Sequence, residues 1–310
     1  QNDVHSIFRQ PEHPYTKALI ACRPALHPKG VALPVVADFL SGKENLQKTE
    51  PVAQVASHSP EPLVKVENLV VRFPVRTNLL GKTKTWFTAV NDVSFEIFKG
   101  ETLGLVGESG CGKTTLGRTL LRLVQPASGR IIYNQKDITH LSPREMSELR
   151  KDIQLVFQDP YSSLNPRLAI GAAIAEPMKV AGIKNSKERK EAVASLLERV
   201  GLSHAMAGRY PHEFSGGQRQ RIVIARALSL HPGFLVCDES VSALDVSVQA
   251  QVLNLLNELK RDLGLTMLFI SHDLSVIRYM CDRIMVMREG SVIESGPAEE
   301  VYHHPQSRYT

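Results

Sequence analysis

The sequence predicts an α/β domain with a mostly parallel sheet flanked by helices, and three observations carry that expectation. Short apolar runs of strand length, Thr102–Val106, Phe234–Cys237 and Thr266–Ile270, are bounded by turn residues and separated by helical patterns. A glycine-rich turn, Gly107–Thr115, follows the first run at once and opens an amphipathic helix. A stretch rich in Pro, Ala, Val, Ser and Lys without sustained period, residues 29–62, sets this domain off from an N-terminal segment.

In chain order, residues 1–28 mix short helical patterns with prolines, residues 29–62 read as a linker, and the main domain occupies 63–310. Leu63–Phe73 and Ala89–Phe98 alternate as strands, the second ended by Lys99-Gly100; between them RTNLLGKTKTW reads as a polar, turn-bearing insertion. The region from about 160 to 230 is rich in helical pattern, and Arg283–Met287 forms a fourth apolar strand running into the turn Glu289-Gly290. One repeat stands out: IFRQPEHPYT (Ile7–Thr16) aligns without gaps to VYHHPQSRYT (Val301–Thr310), as a tandem duplication would leave it.

Composition bounds the function class. An apolar fraction of 43% supports a sizeable core, and a net charge of +5 is too mild to demand an anionic partner. Cys22, Cys111, Cys237 and Cys281 form no CxxC pair, which argues against a disulfide framework or zinc ribbon and for a reducing compartment. His303 and His304 read as solvated surface. No run reaches the roughly 18–20 apolar residues of a membrane span and no signal peptide is visible, so a cytosolic chain is expected, with any membrane role coming through a partner.

GESGCGKTT fits G-x-x-x-x-G-K-[ST] between a buried strand and a helix. The backbone N–H groups of such a turn, here along Gly107, Glu108, Ser109, Gly110, Cys111 and Gly112, face inward onto phosphate oxygens. The helix N-terminus adds about half a positive charge. Lys113 is placed to reach β- and γ-phosphates, Thr114 to ligate Mg²⁺, and Thr115 completes the motif. The pattern alone does not separate kinases, GTPases and ATPases.

The motifs that follow resemble, in content and order, those of the ATP-binding cassette (ABC) family over residues 63–310. The resemblance implies a P-loop NTPase fold: an ABC nucleotide-binding domain with a RecA-like core, an antiparallel β subdomain and a helical subdomain at about 160–230. It makes Gln158 of VFQDP the Q-loop glutamine, touching Mg²⁺ and the attacking water, and Ser215, Gly216, Gly217 and Gln218 of EFSGGQRQR the signature motif. Asp238, ending the strand FLVCD, becomes the Walker B aspartate at Mg²⁺, and Glu239 the catalytic glutamate that polarises the water. Ser242–Asp245 matches the D-loop, with Asp245 near nucleotide, and His272 of ISHD is the switch histidine, offering a hydrogen bond to the γ-phosphate or to the water. The signature is a second small-residue turn opening a helix, suited to a nucleotide held by another cassette in a head-to-tail pair. Adenine stacking falls to Phe73 by its place in the family pattern, with Trp86 and Phe87 as competitors. The usual proline and threonine after the glutamate are Ser240 and Val241 here, which predicts altered loop stiffness without lost activity; Cys111 predicts sensitivity to thiol reagents.

QDPYSSLNPR (Gln158–Arg167) and the HPYT-type tail are similar to dipeptide, oligopeptide and nickel importer ATPases. The insertion FPVRTNLLGKTK and the repeat look like the C-terminal half of a fused tandem-cassette ATPase of the peptide and microcin C uptake type. That resemblance implies ATP and Mg²⁺ as ligands, and as partners transmembrane permease subunits, a solute-binding protein and a second cassette, on the same full-length chain or in a homodimer. It implies a peripheral place on the cytoplasmic face of the inner membrane, and makes residues 1–28 the tail of a preceding cassette. That tail lacks a cysteine cluster, so no iron–sulfur centre is expected. A chromosome-maintenance ATPase would part Lys113 from Ser215 by a coiled coil or zinc insertion, and none is legible. A translation-associated tandem ATPase would need a long charged helix where residues 29–62 carry prolines, so no nucleic-acid partner is expected.

Overall fold

The computed structural model describes residues 4–40, 61–77 and 83–310 of the chain. Short helices α1 (Val4–Arg9), α2 (Pro14–Ala21) and α3 (Val36–Leu40) come first. Strands β1 (Pro62–Thr77) and β2 (Thr83–Phe98) form a long antiparallel ladder, followed by β3 (Thr102–Val106) and α4 (Lys113–Leu120). Next are β4 (Ser128–Tyr133), β5 (Lys136–Asp137), α5 (Pro143–Leu149) and β6 (Ile153–Val156). The helical region is α6 (Pro160–Ser163), α7 (Ile170–Val180), α8 (Ser186–Arg199) and α9 (Gly216–Leu228). The chain closes with β7 (Phe234–Asp238), α10 (Val246–Leu263), β8 (Thr266–Ile270), α11 (Leu274–Met280), β9 (Arg283–Arg288), β10 (Ser291–Pro297) and α12 (Ala298–His303).

Two sheets result. One is antiparallel in the order β2-β1-β4-β5; the other runs β10-β9-β3-β8-β7-β6, parallel from β9 to β6 with β10 added antiparallel at its edge. Every residue of β3, β7 and β8 is buried, as strands covered on both faces must be, which is why they read as unbroken apolar runs. Leu105, Leu116, Val236 and Ile270 pack in the core cluster between this sheet and the antiparallel one; Cys237, Phe269, Val276 and Leu253 belong to the cluster under the helical side. The phosphate-loop consensus therefore leaves the end of a central strand.

Three sequence expectations change. Arg76 pairs with Thr85 and Thr77 with Thr83, so most of the supposed insertion continues the β1–β2 ladder; its tip lies outside the described residues. Strands β4, β5, β6 and β10 were not anticipated, because β4 and β10 alternate with polar residues and β5 has two residues. Residues 29–40, read as linker, are packed on the main domain. Leu33 is buried, its N–H donates to Asn254 Oδ1 (2.8 Å), and Asn254 Nδ2 donates back to Leu33 O (2.8 Å). Tyr279 Oη donates to Val31 O at 2.9 Å. Lys29 and Lys260 both pair with Asp282, which also accepts the Thr102 N–H at the foot of β3 (2.7 Å). The remainder of 29–62, residues 41–60, lies outside the described residues.

Candidate nucleotide site

The loop Gly107–Gly112 needs glycine where it crosses other backbone: a Cβ on Gly107 would stand 2.1 Å from the Met287 carbonyl oxygen. Lys113, the first residue of α4, is 4% exposed. Its ammonium donates to the carbonyls of Gly107 (2.7 Å) and Glu108 (2.8 Å) and so spans the loop. One residue on, Thr114 Oγ1 donates to Asp238 Oδ1 at 2.9 Å. Asp238 ends β7 and is buried; burial pushes its carboxyl above the ordinary carboxylate range, opposed by the Thr114 hydrogen bond and the nearby Arg118 charge. A buried carboxylate held by one hydroxyl is an oxygen donor pair suited to a hard cation.

The adjacent Glu239 adopts φ 47°, a left-handed conformation that costs a non-glycine residue about 1–2 kcal/mol. Its N–H donates to Ile270 O (3.0 Å), while Ser242 Oγ donates to its carbonyl (2.9 Å). This kink turns the side chain toward two others. Glu239 Oε2 accepts from Gln158 Nε2 at 3.0 Å and lies 3.3 Å from His272 Nδ1. Two residues far apart in sequence, Gln158 and His272, thus converge on one carboxylate oxygen of Glu239, one residue beyond the Thr114–Asp238 pair.

Ser215 caps α9 through a reciprocal box: Ser215 Oγ accepts from Gln218 N (3.3 Å) and Gln218 Oε1 accepts from Ser215 N (3.1 Å). Both side chains expected at nucleotide are therefore engaged in holding the turn. Gly217 faces α10, where a Cβ would come 2.1 Å from Val248 Cγ1. Asp245 caps α10 by accepting from that same Val248 N–H (3.0 Å). Signature and D-loop are locked together at this crossing.

The family described as "ABC transporter" matches residues 90–242, and the one described as "Oligopeptide/dipeptide transporter, C-terminal region" matches residues 1–41. Among solved structures, cbiO1 from Clostridium perfringens, part of the cbiONQ ABC transporter complex, superposes with TM-score 0.67 and 30% identity over 79% of this chain and 92% of that one. This chain belongs to the ABC transporter ATPase family. The cassette also matches the ADP- and Pi-bound dimer of MJ0796, with TM-score 0.67 and 28% identity over 76% of this chain and 98% of that one. It is 50% identical over 308 residues to the protein named "Glutathione import ATP-binding protein GsiA" from Escherichia coli K12 and from O157:H7. Those matches take in 99% of this chain and 49% of each relative, so the chain spans about half their length. Between Lys113 and Ser215 the cassette carries no helix longer than the 14 residues of α8, which excludes the coiled-coil arm of a chromosome-maintenance ATPase.

Beside the cassette's phosphate loop a cavity is lined by Phe87, Ala89, Gly110, Cys111, Arg288 and Tyr309. Phe73 sits directly across the ladder from Phe87, and Trp86 across from Pro74. Only Phe87 of the three aromatic candidates reaches this cavity wall. Arg288 and Tyr309 carry no motif; the signal for Tyr309 is its match, in the repeat copy Val301–Thr310, to Tyr15 of Ile7–Thr16.

Proposed function

We propose that this cassette binds MgATP, hydrolyses it, and couples the cycle to uptake of a peptide-like solute through membrane-spanning permease subunits. The convergence of Gln158 and His272 on Glu239, beside Lys113, Thr114 and Asp238, carries the hydrolytic reading. Backbone N–H groups of Gly107–Thr115 and the Lys113 ammonium bind the phosphates. Glu239 takes the proton of the attacking water, Gln158 orients that water, and His272 donates to the γ-phosphate. Thr114, Asp238 and the Gln158 amide oxygen would hold Mg²⁺, which when bound neutralises charge on the β- and γ-oxygens. Adenine packs against the aromatic pair Phe73–Phe87, with Phe87 nearer the loop.

Each site is shared. Ser215–Gln218 and Asp245 of this chain serve the nucleotide on a facing cassette, which supplies the same parts in return. Residues 1–28 belong to the tail of a preceding cassette and 63–310 form the second one, with the segment between joining them; the likeness of residues 1–41 to an oligopeptide/dipeptide transporter C-terminal region supports the tail assignment and carries it past residue 28. A groove lined by Leu121, Leu123, Ile153, Leu155, Phe157 and Val223, with Arg150, Gln154 and Arg226 among its other walls, lies between the core and the helical region, and an amphipathic permease coupling helix fits that mixture. The import direction rests on the relatives' name as glutathione import ATP-binding proteins; a solute-binding protein and a place on the cytoplasmic face are what the importer resemblance implies.

The deciding experiment is Glu239→Gln in the assembled transporter. The variant is expected to retain MgATP binding and accumulate nucleotide-bound dimer, while turnover falls about 10²–10⁴-fold. Hydrolysis near the wild-type rate would remove Glu239 from the role of base.

A further inference from the structure

The polypeptide does not stop at α12 but returns to the nucleotide site. The Glu294 carboxylate on β10 accepts from Gln306 N (2.7 Å), Ser307 N (3.1 Å) and Thr310 Oγ1, stapling residues 306–310 against the sheet edge. The stapled tail presents Tyr309, whose ring lies beneath the Arg288 guanidinium (5.0 Å to the centroid) and whose hydroxyl accepts the Glu108 N–H at 3.2 Å.

That N–H belongs to a particular peptide unit. Its other half is the Gly107 carbonyl, which accepts the Lys113 ammonium at 2.7 Å. A peptide is planar, so a restraint on the N–H fixes the direction of the carbonyl. Glycine at 107 leaves the plane free to rotate unless something outside the loop holds it. The next carbonyl, Glu108 O, also accepts from Lys113 (2.8 Å) and from Cys111 N (3.3 Å), so a rotation at 107–108 disturbs both the lysine and the turn. We propose that Tyr309 is a positioning residue for nucleotide binding: its hydroxyl pins the Gly107–Glu108 peptide and through it sets Lys113, with Glu294 and Arg288 holding the tyrosine in place. Tyr15 has the same place in the first copy of the repeat, so each HPYT-type tail carries the tyrosine such a latch needs.

The inference rests on the nucleotide-site reading above, and binding of mant-ATP with Mg²⁺ to the full chain tests the two separately. Tyr309→Phe keeps the ring over Arg288 and removes only the acceptor; it is expected to weaken mant-ATP binding about three- to tenfold, the worth of one hydrogen bond. The unfolding midpoint should not move. In the assembled transporter KM for ATP should rise by the same factor with kcat within twofold. Glu294→Ala should reproduce the loss, and the double variant should bind no worse than the weaker single one, because both act through one contact. If Tyr309→Phe binds as wild type while Lys113→Ala abolishes binding, the nucleotide site stands and the latch is wrong. If wild type itself does not bind mant-ATP, both readings fall.

Discussion

Gly217→Ala is the sharpest test of how the signature turn is held. The added Cβ would stand 2.1 Å from Val248 Cγ1, against 3.4–4 Å for ordinary contact, so α9 and α10 must separate by about 1 Å at their N-termini. Relief by rotation is poor, because a valine in a helix has essentially one χ1 well. Nor can α9 slide, since Ile222, Ile224 and Ala225 lie fully buried in the core. Overpacking of this kind costs about 1–3 kcal/mol, and at about 2–4 °C per kcal/mol the unfolding midpoint should fall by roughly 2–12 °C. The same shift displaces Ser215 and the Asp245 cap, and a misplacement of about 1 Å can lower turnover about 100-fold. Val248→Ala deletes the clashing methyl and should restore most of both losses in the double variant. The measurements are thermal unfolding of the four proteins of the cycle and ATPase activity of the assembled transporter. A Gly217→Ala protein as stable and active as wild type would refute the close-approach argument. So would a coupling energy below about 0.5 kcal/mol between the two sites.

Two further outcomes follow from charge and burial. Although burial raises it, the Asp282 carboxyl is held at about 2 by the ammonium groups of Lys260 and Lys29, below the ordinary value of 3.8. Because the folded value is the lower one, the stabilisation, about 2 kcal/mol, is complete above pH 3.8 and lost as pH falls toward 2. Asp282→Asn should remove it at neutral pH and flatten the acid limb of a stability–pH curve; an unchanged curve would show that the triad contributes nothing. Among the cysteines, Cys22 and Cys237 are fully buried with thiols pushed up to about 11 and about 12, and burial also raises Cys281. Cys111, in the phosphate loop and 7% exposed where the other three are 0%, should therefore react first with maleimide, and MgATP should slow that reaction. Peptide mapping that finds the label first on another cysteine would contradict this.

What was legible in the sequence was whatever is written in consecutive residues. The strand–glycine turn–lysine run and the apolar strand ending in Asp238-Glu239 each carry their geometry locally, so β3, α4 and β7 fell where expected. Gln158 and His272 were named by motif, but that both meet Glu239 Oε2 depends on the left-handed kink at Glu239, which no local pattern announces. The aromatic choice stayed open because Phe73 and Phe87 are cross-strand neighbours, and ladder register is set by the whole hairpin. The packing of residues 29–40 was not legible, since it depends on partners over 200 positions away, Asn254 and Tyr279 to Leu33 and Val31. Tyr309 offered only a repeat, not a contact.

The Asp282 cluster also has a mechanical meaning. Lys29 pulls on the carboxylate that accepts the Thr102 N–H, and Thr102 begins the five-residue strand whose far end becomes the phosphate loop. The N-terminal segment is therefore moored to the root of the strand that runs into the Gly107–Thr115 turn. β3 is paired on one side with β8 and on the other with β9, so the Asp282 contact joins residues 29–40 to a strand held on both edges. A cassette cut at Pro62 would keep every motif residue and lose that mooring.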